Sequence, residues 1–304
     1  MGRIVLVGAD GQLGTDLAQA GRELNLDLVS LTRGDIEVTD PASVERALAG
    51  LQPQVVLNTA AYHGAAQQTT AEQEAFFRVN ALGAWHLARF CRRHDTLLVH
   101  YSTDYVFGQE RAHARPYAEE DPPCPVNIYG ASKLAGEYLI RSFCPKHYVI
   151  RVASLYGSAG CMAKGNSNFV KMVLGKARKG ENLKVVNDQF MSPTWTLAAA
   201  KKTYELINSG AAFGLYHMAG SGQCTWYEFA REILRIAGLP ARVEPTATPV
   251  EGPDEVLLRP HWTALGNHKL RQAGLADLPD WRECLEEYIY SCEQAGVREV
   301  GAPS

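Results

Sequence analysis

A short apolar run from Arg3 to Val7 passes straight into Gly8-Ala9-Asp10-Gly11-Gln12-Leu13-Gly14, and Leu13, Leu17 and Leu24 then recur at helical spacing. Strand, glycine turn and helix in that order leave few folds open. Gly8 permits the tight turn. Gly11 lets backbone N–H groups approach a pyrophosphate at the helix N-terminus, and Gly14 lets the helix pack closely on the strand. Such a motif says little alone, but between a first strand and a first helix it points to a dinucleotide. Gly8, Asp10, Gly11, Gln12, Leu13 and Gly14 are therefore candidate cofactor-binding residues. Leu26 to Leu31 reads as the second strand, and Thr32-Arg33-Gly34-Asp35 follows it. An acidic residue there holds the ribose 2′-hydroxyl of NAD, whereas an arginine accommodates the 2′-phosphate of NADP. Both Arg33 and Asp35 are candidates. Arg33 lies nearer the strand end, which favours NADPH, with NADH as the alternative.

The alternation continues. Asp40-Pro41 opens a helix through Leu48, with an N-cap followed by proline at the first helical position. Val55 to Asn58 is a third strand. Ala60 and Ala61 after it are small enough for the backbone to approach a flat cofactor. Glu72 to Arg93 reads as one long helix with Asn80 inside it, a candidate for hydrogen bonding to neighbouring loops. Leu97 to Tyr101 is a fourth strand that delivers Ser102-Thr103-Asp104 at its carboxyl end, where open α/β sheets place their ligands. A proline-rich loop over Gly108 to Asn127 and a buried strand at Tyr148 to Val152 complete a doubly wound parallel (Rossmann) sheet of the α/β class.

After Tyr156-Gly157 the pattern loosens. A helix at Asn168–Lys179, a strand at Leu183–Val186, a polar and aromatic turn from Asp188 to Trp195, a helix at 197–207, a strand at 214–218 and a helix at Thr225–Ala237 are expected, then proline-rich Pro240–Pro260 and a last helix at 280–292. The expected division is a cofactor-binding domain over 1–157, to which the chain returns near 183–212, and a smaller α/β substrate domain within 158–304. Asn168, Gln189, Trp195 and Arg259 are candidate substrate contacts in the cleft between them, with Arg259 able to hold a diphosphate or to pair with Glu255.

Tyr129-Gly130-Ala131-Ser132-Lys133 carries the chemistry. A tyrosine and a lysine four apart share one helix face, and an ammonium beside a phenol favours the phenolate. That would give a proton donor usable near neutral pH. This is the one Tyr-x-x-x-Lys spacing in the chain, and Lys133 is its first lysine.

A net charge of −3 gives no electrostatic case for nucleic acid or for an anionic membrane. No apolar run approaches the ~18 residues that span a bilayer. Seven cysteines stand singly without any Cys-x-x-Cys, which argues against a disulfide framework or a zinc site. A cytoplasmic protein with reduced thiols is expected.

Together the glycine turn, Val99 to Phe107, Tyr129 to Glu137, Asp188-Gln189 with Ser192-Pro193-Thr194, and Arg259-Pro260 resemble the extended short-chain dehydrogenase/reductase family. Within it they are similar to the dTDP-4-dehydrorhamnose reductases, over nearly the whole chain. The resemblance implies NADPH-dependent reduction of the 4-keto group of a nucleotide-linked 6-deoxyhexose, dTDP-4-dehydro-L-rhamnose giving dTDP-L-rhamnose. By that resemblance Thr103, Tyr129 and Lys133 are the catalytic set. Tyr129 protonates the keto oxygen, Thr103 hydrogen-bonds it, and Lys133 holds the nicotinamide ribose and depresses the Tyr129 pKa. Thr103 and Asp104 would touch the sugar. Related dehydratases follow Thr-Asp with a glutamate; Tyr105 stands there instead, which favours simple reduction over dehydration or epimerisation. The chain departs from the subfamily at Ser154, in place of a tryptophan beside the sugar, and at His63 to Gln68, in place of an acidic and basic pair. Asp16 matches one position of a magnesium contact in some relatives, but no essential metal is expected. A homodimer is compatible with the family, and so is a non-catalytic role like that of the methionine adenosyltransferase β subunit. Retention of Thr103, Tyr129 and Lys133 argues against the latter.

Overall fold

The computed structural model describes residues 2–63, 70–108, 114–161, 165, 167–249 and 259–300, with side chains to 294. Glu255 and most of the loop after His63 lie outside the described residues.

β1 (Ile4–Val7) enters the glycine turn and α1 (Gln12–Glu23) leaves it; β2 (Leu28–Leu31), α2 (Pro41–Ala49) and β3 (Val55–Asn58) follow. α3 (Thr70–Phe77) runs through a π-helical turn (Arg78–Gly83) into α4 (Ala84–Arg93), then come β4 (Leu97–Thr103), α5 (Ile128–Phe143) and β5 (His147–Val152). The second half holds β6 (Leu155–Tyr156), α6 (Phe169–Arg178), β7 (Leu183–Val186), β8 (Phe190–Met191), β9 (Thr194–Trp195), α7 (Thr196–Asn208) and β10 (Gly214–His217). It ends with β11 (Cys224–Thr225), α8 (Trp226–Ile236), β12 (Val243–Thr246), α9 (His268–Gln272) and α10 (Trp281–Val300).

Six parallel strands form the central sheet in the order β10-β5-β4-β3-β1-β2. β1, β3 and β5 are buried along their whole length, as continuous apolar runs covered on both faces must be. One face packs on α1 and α7, where Leu17, Tyr204 and Leu206 join Ile4, Leu6 and Val99. Tyr204 donates to the Leu17 carbonyl at 2.9 Å and ties α7 to α1. The other face packs on α2, α4 and α5 through Val44, Leu87, Phe90 and Ile140. Strand order reverses beside β1, so the crevice above β1 and β3 is the ligand position of such a sheet. A separate apolar cluster joins α6, α8 and α10 to β7, with Phe229, Ile233, Trp281 and Leu285 at its centre. Thr225 and Glu228 close the expected capping box on α8.

The structure departs from the sequence expectations in two places. Leu183–Val186 pairs with Val243–Thr246, away from the main sheet, and the segment that rejoins the sheet is α7 with β10, beside β5. The return is therefore displaced toward 196–217, because alternating Leu183 and Val185 bury one face only, whereas β10 offers Leu215, Tyr216 and His217 to a covered edge. The single helix expected over Glu72–Arg93 forms as a continuous run, but it widens into a π turn at Arg78–Gly83. Among the described residues no helix is long and apolar enough to cross a membrane.

Candidate active site at the carboxyl ends of the strands

A cleft of about 430 Å³ opens above β1, β3 and β4. Its floor at one end is the glycine turn. Gly8 has φ +82°, and a Cβ on Gly14 would sit 2.2 Å from the Gly8 carbonyl, so α1 starts hard against the strand end. No side chain caps α1 at Gly11, which leaves its first N–H groups facing the cleft. Gln12 adds a buried Oε1 without a partner. This end suits a phosphate. Arg33 lines the cleft with its side chain 90% exposed, its guanidinium 3.8 Å from Glu37. Asp35 does not line it. Its carboxylate accepts from the Thr32 N–H and hydroxyl, both at 2.8 Å, and closes its own turn. Those bonds hold its pKa below the usual carboxylate value.

At the other end β4 delivers Thr103 and Asp104, and α5 delivers Tyr129 and Lys133 one turn apart; all four line the cleft. Asn127 caps α5 through Gly130 at 2.8 Å, which sets where the helix, and hence Tyr129, begins. The Thr103 hydroxyl donates to Asp104 Oδ1 at 3.0 Å and lies close enough to the Tyr129 phenol to influence its titration. Asp104 is 3% exposed, and its other oxygen has no partner of good geometry. Burial pushes the Asp104 carboxyl up to about 7, against the lowering influence of the Thr263 and Thr103 hydroxyls. Tyr129 departs from expectation. Burial raises its phenol well above the ordinary value, the Thr103 hydroxyl opposes this, and the Asp104 charge adds to it. The Lys133 amine is turned elsewhere, donating to the Tyr101 carbonyl at 2.5 Å. Burial brings Lys133 down to about 8, with Glu137 pulling the other way. Lowering of the phenol by Lys133 is thus not a property of this geometry, because the ammonium is spent on β4.

The remaining candidates divide. Ala60 and Ala61 line the cleft. Asn168 also lines it, yet its side chain caps α6 through Lys171 and donates to the Gly157 carbonyl, both at 3.0 Å. Asn80 is fully buried behind the wall. It accepts from the Tyr62 N–H at 2.8 Å and donates to the Tyr62 carbonyl and to Ser132 Oγ, both at 3.0 Å. It fixes the loop that lines the cleft and does not itself face it. Gln189 is buried against Thr248 at 2.9 Å, and Trp195 stacks toward Tyr288; neither is part of the lining. Both belong to the turn that stitches β8 and β9 to the second cluster. Arg259 is exposed and does not line the cleft; burial and the Asp104 charge raise the Tyr105 phenol, and Arg259 is close enough for its charge to oppose them. Asp16 is buried and accepts from the Thr196 and Ser158 hydroxyls.

Residues 2–294 match the family described as the RmlD substrate binding domain. The chain belongs to this family. An RmlD-family relative from Streptomyces niveus, a dTDP-4-keto-6-deoxy-D-glucose reductase, is 37% identical over 94% of this chain and 96% of its own. The dTDP-4-dehydrorhamnose reductase of Escherichia coli is 34% identical over 92% and 94% of the two chains. The crystal structure of the dTDP-4-dehydrorhamnose reductase from Bacillus anthracis in complex with NADP superposes with a TM-score of 0.87 at 31% identity, covering 96% of this chain and all of that one. The central sheet of this RmlD-family chain is therefore a shared architecture.

Several lining residues of this family member carried no sequence signal. Phe169, Trp226 and Phe229 pack on one another as an aromatic wall of the cleft, brought there by α6 and α8. His63, expected as a loop residue, packs edge-on to the Tyr129 ring at 4.8 Å between centroids. Ser154 lines the cleft in a left-handed conformation, φ 42°, which a β-branched or bulky residue adopts at a cost.

Proposed function

We propose that this chain is an NADPH-dependent reductase of the 4-keto group of a nucleotide-linked 6-deoxyhexose, converting dTDP-4-dehydro-L-rhamnose to dTDP-L-rhamnose. The observation that carries the reading is the Thr103–Tyr129 hydroxyl pair, buried in the same cleft as the glycine turn, with Lys133 one turn further along α5. The cleft fits a dinucleotide: the uncapped start of α1 suits the pyrophosphate, and Arg33 at the rim suits a 2′-phosphate. NADPH, when bound, supplies a hydride to a carbonyl carbon. The chain supplies the rest. An alkoxide needs a donor in place and a proton source. Tyr129 gives the proton, and Thr103 orients the oxygen once its single hydroxyl hydrogen turns from Asp104 to the substrate. Asp104 holds the Thr103 hydroxyl. Tyr105 provides no second carboxylate beside Asp104, so the site has no pair for water elimination. Relatives of the same chemistry support the substrate class.

Tyr129→Phe removes only the hydroxyl. A positioned proton donor is worth roughly 10²–10⁴ in rate, so kcat should fall by about that factor while NADPH binding is retained. Turnover of the keto sugar at the wild-type rate would overturn the assignment. The reading places the enzyme in the cytoplasm, in keeping with cysteines that form no disulfide among the described residues. It also includes a homodimer, supported by exposed Phe77, Leu82, Tyr138 and Phe143 on adjoining helices, which its mass in solution tests.

A further inference from the structure

Asn58 at the end of β3, His100 in β4 and Lys133 in α5 form a buried chain under the cleft. Its direction can be read from one end. The Ala60 backbone N–H donates to Asn58 Oδ1 at 3.1 Å, and a backbone N–H can do nothing else. The amide is thereby fixed, and its NH2 group faces His100 Nδ1 at 2.9 Å. Nδ1 must then accept. In a neutral imidazole the other nitrogen carries the hydrogen. That Nε2–H faces Lys133 Nζ at 3.4 Å.

An ammonium has three N–H groups and no lone pair, so it meets this Nε2–H donor to donor. A neutral amine has a lone pair and accepts it. The alternative, a charged imidazolium, is opposed by complete burial and by Lys133 itself, which hold the His100 pKa far below the ordinary value. We propose that His100 is a positioning residue that sets the charge state of Lys133, its tautomer locked by Asn58 so that the neutral amine is the form it hydrogen-bonds. The other groups that act on Lys133 are the Tyr101 carbonyl, which takes one N–H in either state, and the Glu137 carboxylate on its own helix. Glu137 favours the charged amine, but its carboxylate is shared with Arg151 of β5 through two bonds of 2.9 and 2.7 Å and with Ser102. Its pull is correspondingly divided. The net result is a lysine that is half-charged near pH 8 and keeps a minor neutral fraction at neutrality, in line with burial bringing it to about 8. An ammonium of lowered pKa parts with its proton more readily, which matters beside a phenol that must be reprotonated each cycle.

The inference rests on Lys133 belonging to the proposed reducing site, but its test reads Lys133 directly, without cofactor or sugar. Protein carrying 13C at the lysine ε-carbons is titrated by nuclear magnetic resonance, and the signal missing from Lys133→Met identifies Lys133. The wild-type midpoint should lie near 8. His100→Phe keeps a planar ring and removes the N–H; the midpoint should rise by about one unit, about tenfold in proton affinity. Asn58→Leu frees the imidazole to change tautomer, and should move the midpoint the same way by less. A role in packing alone lowers Tm and leaves the midpoint in place. An unchanged midpoint in the folded variants, or a wild-type Lys133 that titrates like a free lysine, overturns the proposal. If His100→Phe fails to fold, Asn58→Leu decides. A protein that reduces no keto sugar but shows these shifts would sink the proposed reaction and leave this inference standing.

Discussion

Asp104 combines nearly complete burial with one unpartnered oxygen, and this has a price in stability that pH exposes. Its folded pKa is raised to about 7 from 3.8. Between those values the folded state keeps a proton that the unfolded state releases, so stability falls as pH rises through this window and the full penalty is present above it. Asp104→Asn should therefore be more stable than wild type above pH 7 and should lose most of the slope between about pH 4 and 7. Thermal unfolding across that range measures it, and an identical slope in both proteins would refute the burial argument. Lys133 acts in the opposite sense: its pKa is depressed from 10.5 to about 8, so its penalty is relieved as pH climbs between them. At single positions the sequence was informative where the chemistry is local. Gly8 to Gly14 and the Tyr129–Lys133 pair are short motifs whose spacing sets them on one turn and one helix face, whereas Thr103 was joined to them by the family resemblance. It was silent on Phe169 and Trp226, whose presence in the cleft depends on how two distant helices pack. Asp35 and Gln189 are held by other partners, Asp35 by Thr32 in its own turn and Gln189 by Thr248, and neither lines the cleft.

The π turn between α3 and α4 shows the same limit for a whole segment. Its residues, Arg78 to Gly83, have ordinary helical character, so nothing in the sequence separates them from the helices on either side. The wider turn is common at functional sites, and here it brings the Asn80 amide to Tyr62 and its carbonyl to α5. Gly136 of α5 makes this possible: a Cβ there would lie 2.3 Å from the Asn80 carbonyl. Gly136→Ala should therefore push α5 off the π turn and cost about 1–3 kcal/mol, the usual range for overpacking. Urea unfolding reads the loss. A variant as stable as wild type would mean that the two helices are free to separate without penalty. By contrast, Val55–Asn58 and Leu183–Val186 form strands at the bounds expected from their apolar runs. For the latter, the sequence still could not supply the partner, since Leu183 and Val185 fit a two-stranded ribbon as well as a sheet edge.

Taken over the full chain, the sheet is assembled from two separated stretches. α7 and β10 return after the excursion through α6 and β7, and they bring Ala199, Ala200, Tyr204, Leu206, Tyr216 and Met218 to the core of one sheet face. A fragment ending at residue 157 would leave that face covered by α1 alone. It should show no cooperative melting by circular dichroism, whereas the entire chain should; a sharp transition in the fragment would show that the first stretch suffices. This connectivity also bears on how such a protein can be re-engineered. The aromatic wall of the cleft belongs to segments threaded out of the sheet and back into it, so no single splice joint can graft the substrate-facing lobe of one relative onto the sheet of another. A working chimera needs at least three junctions, before α6, before α7 and after β10, so that α7 and β10 travel with the host.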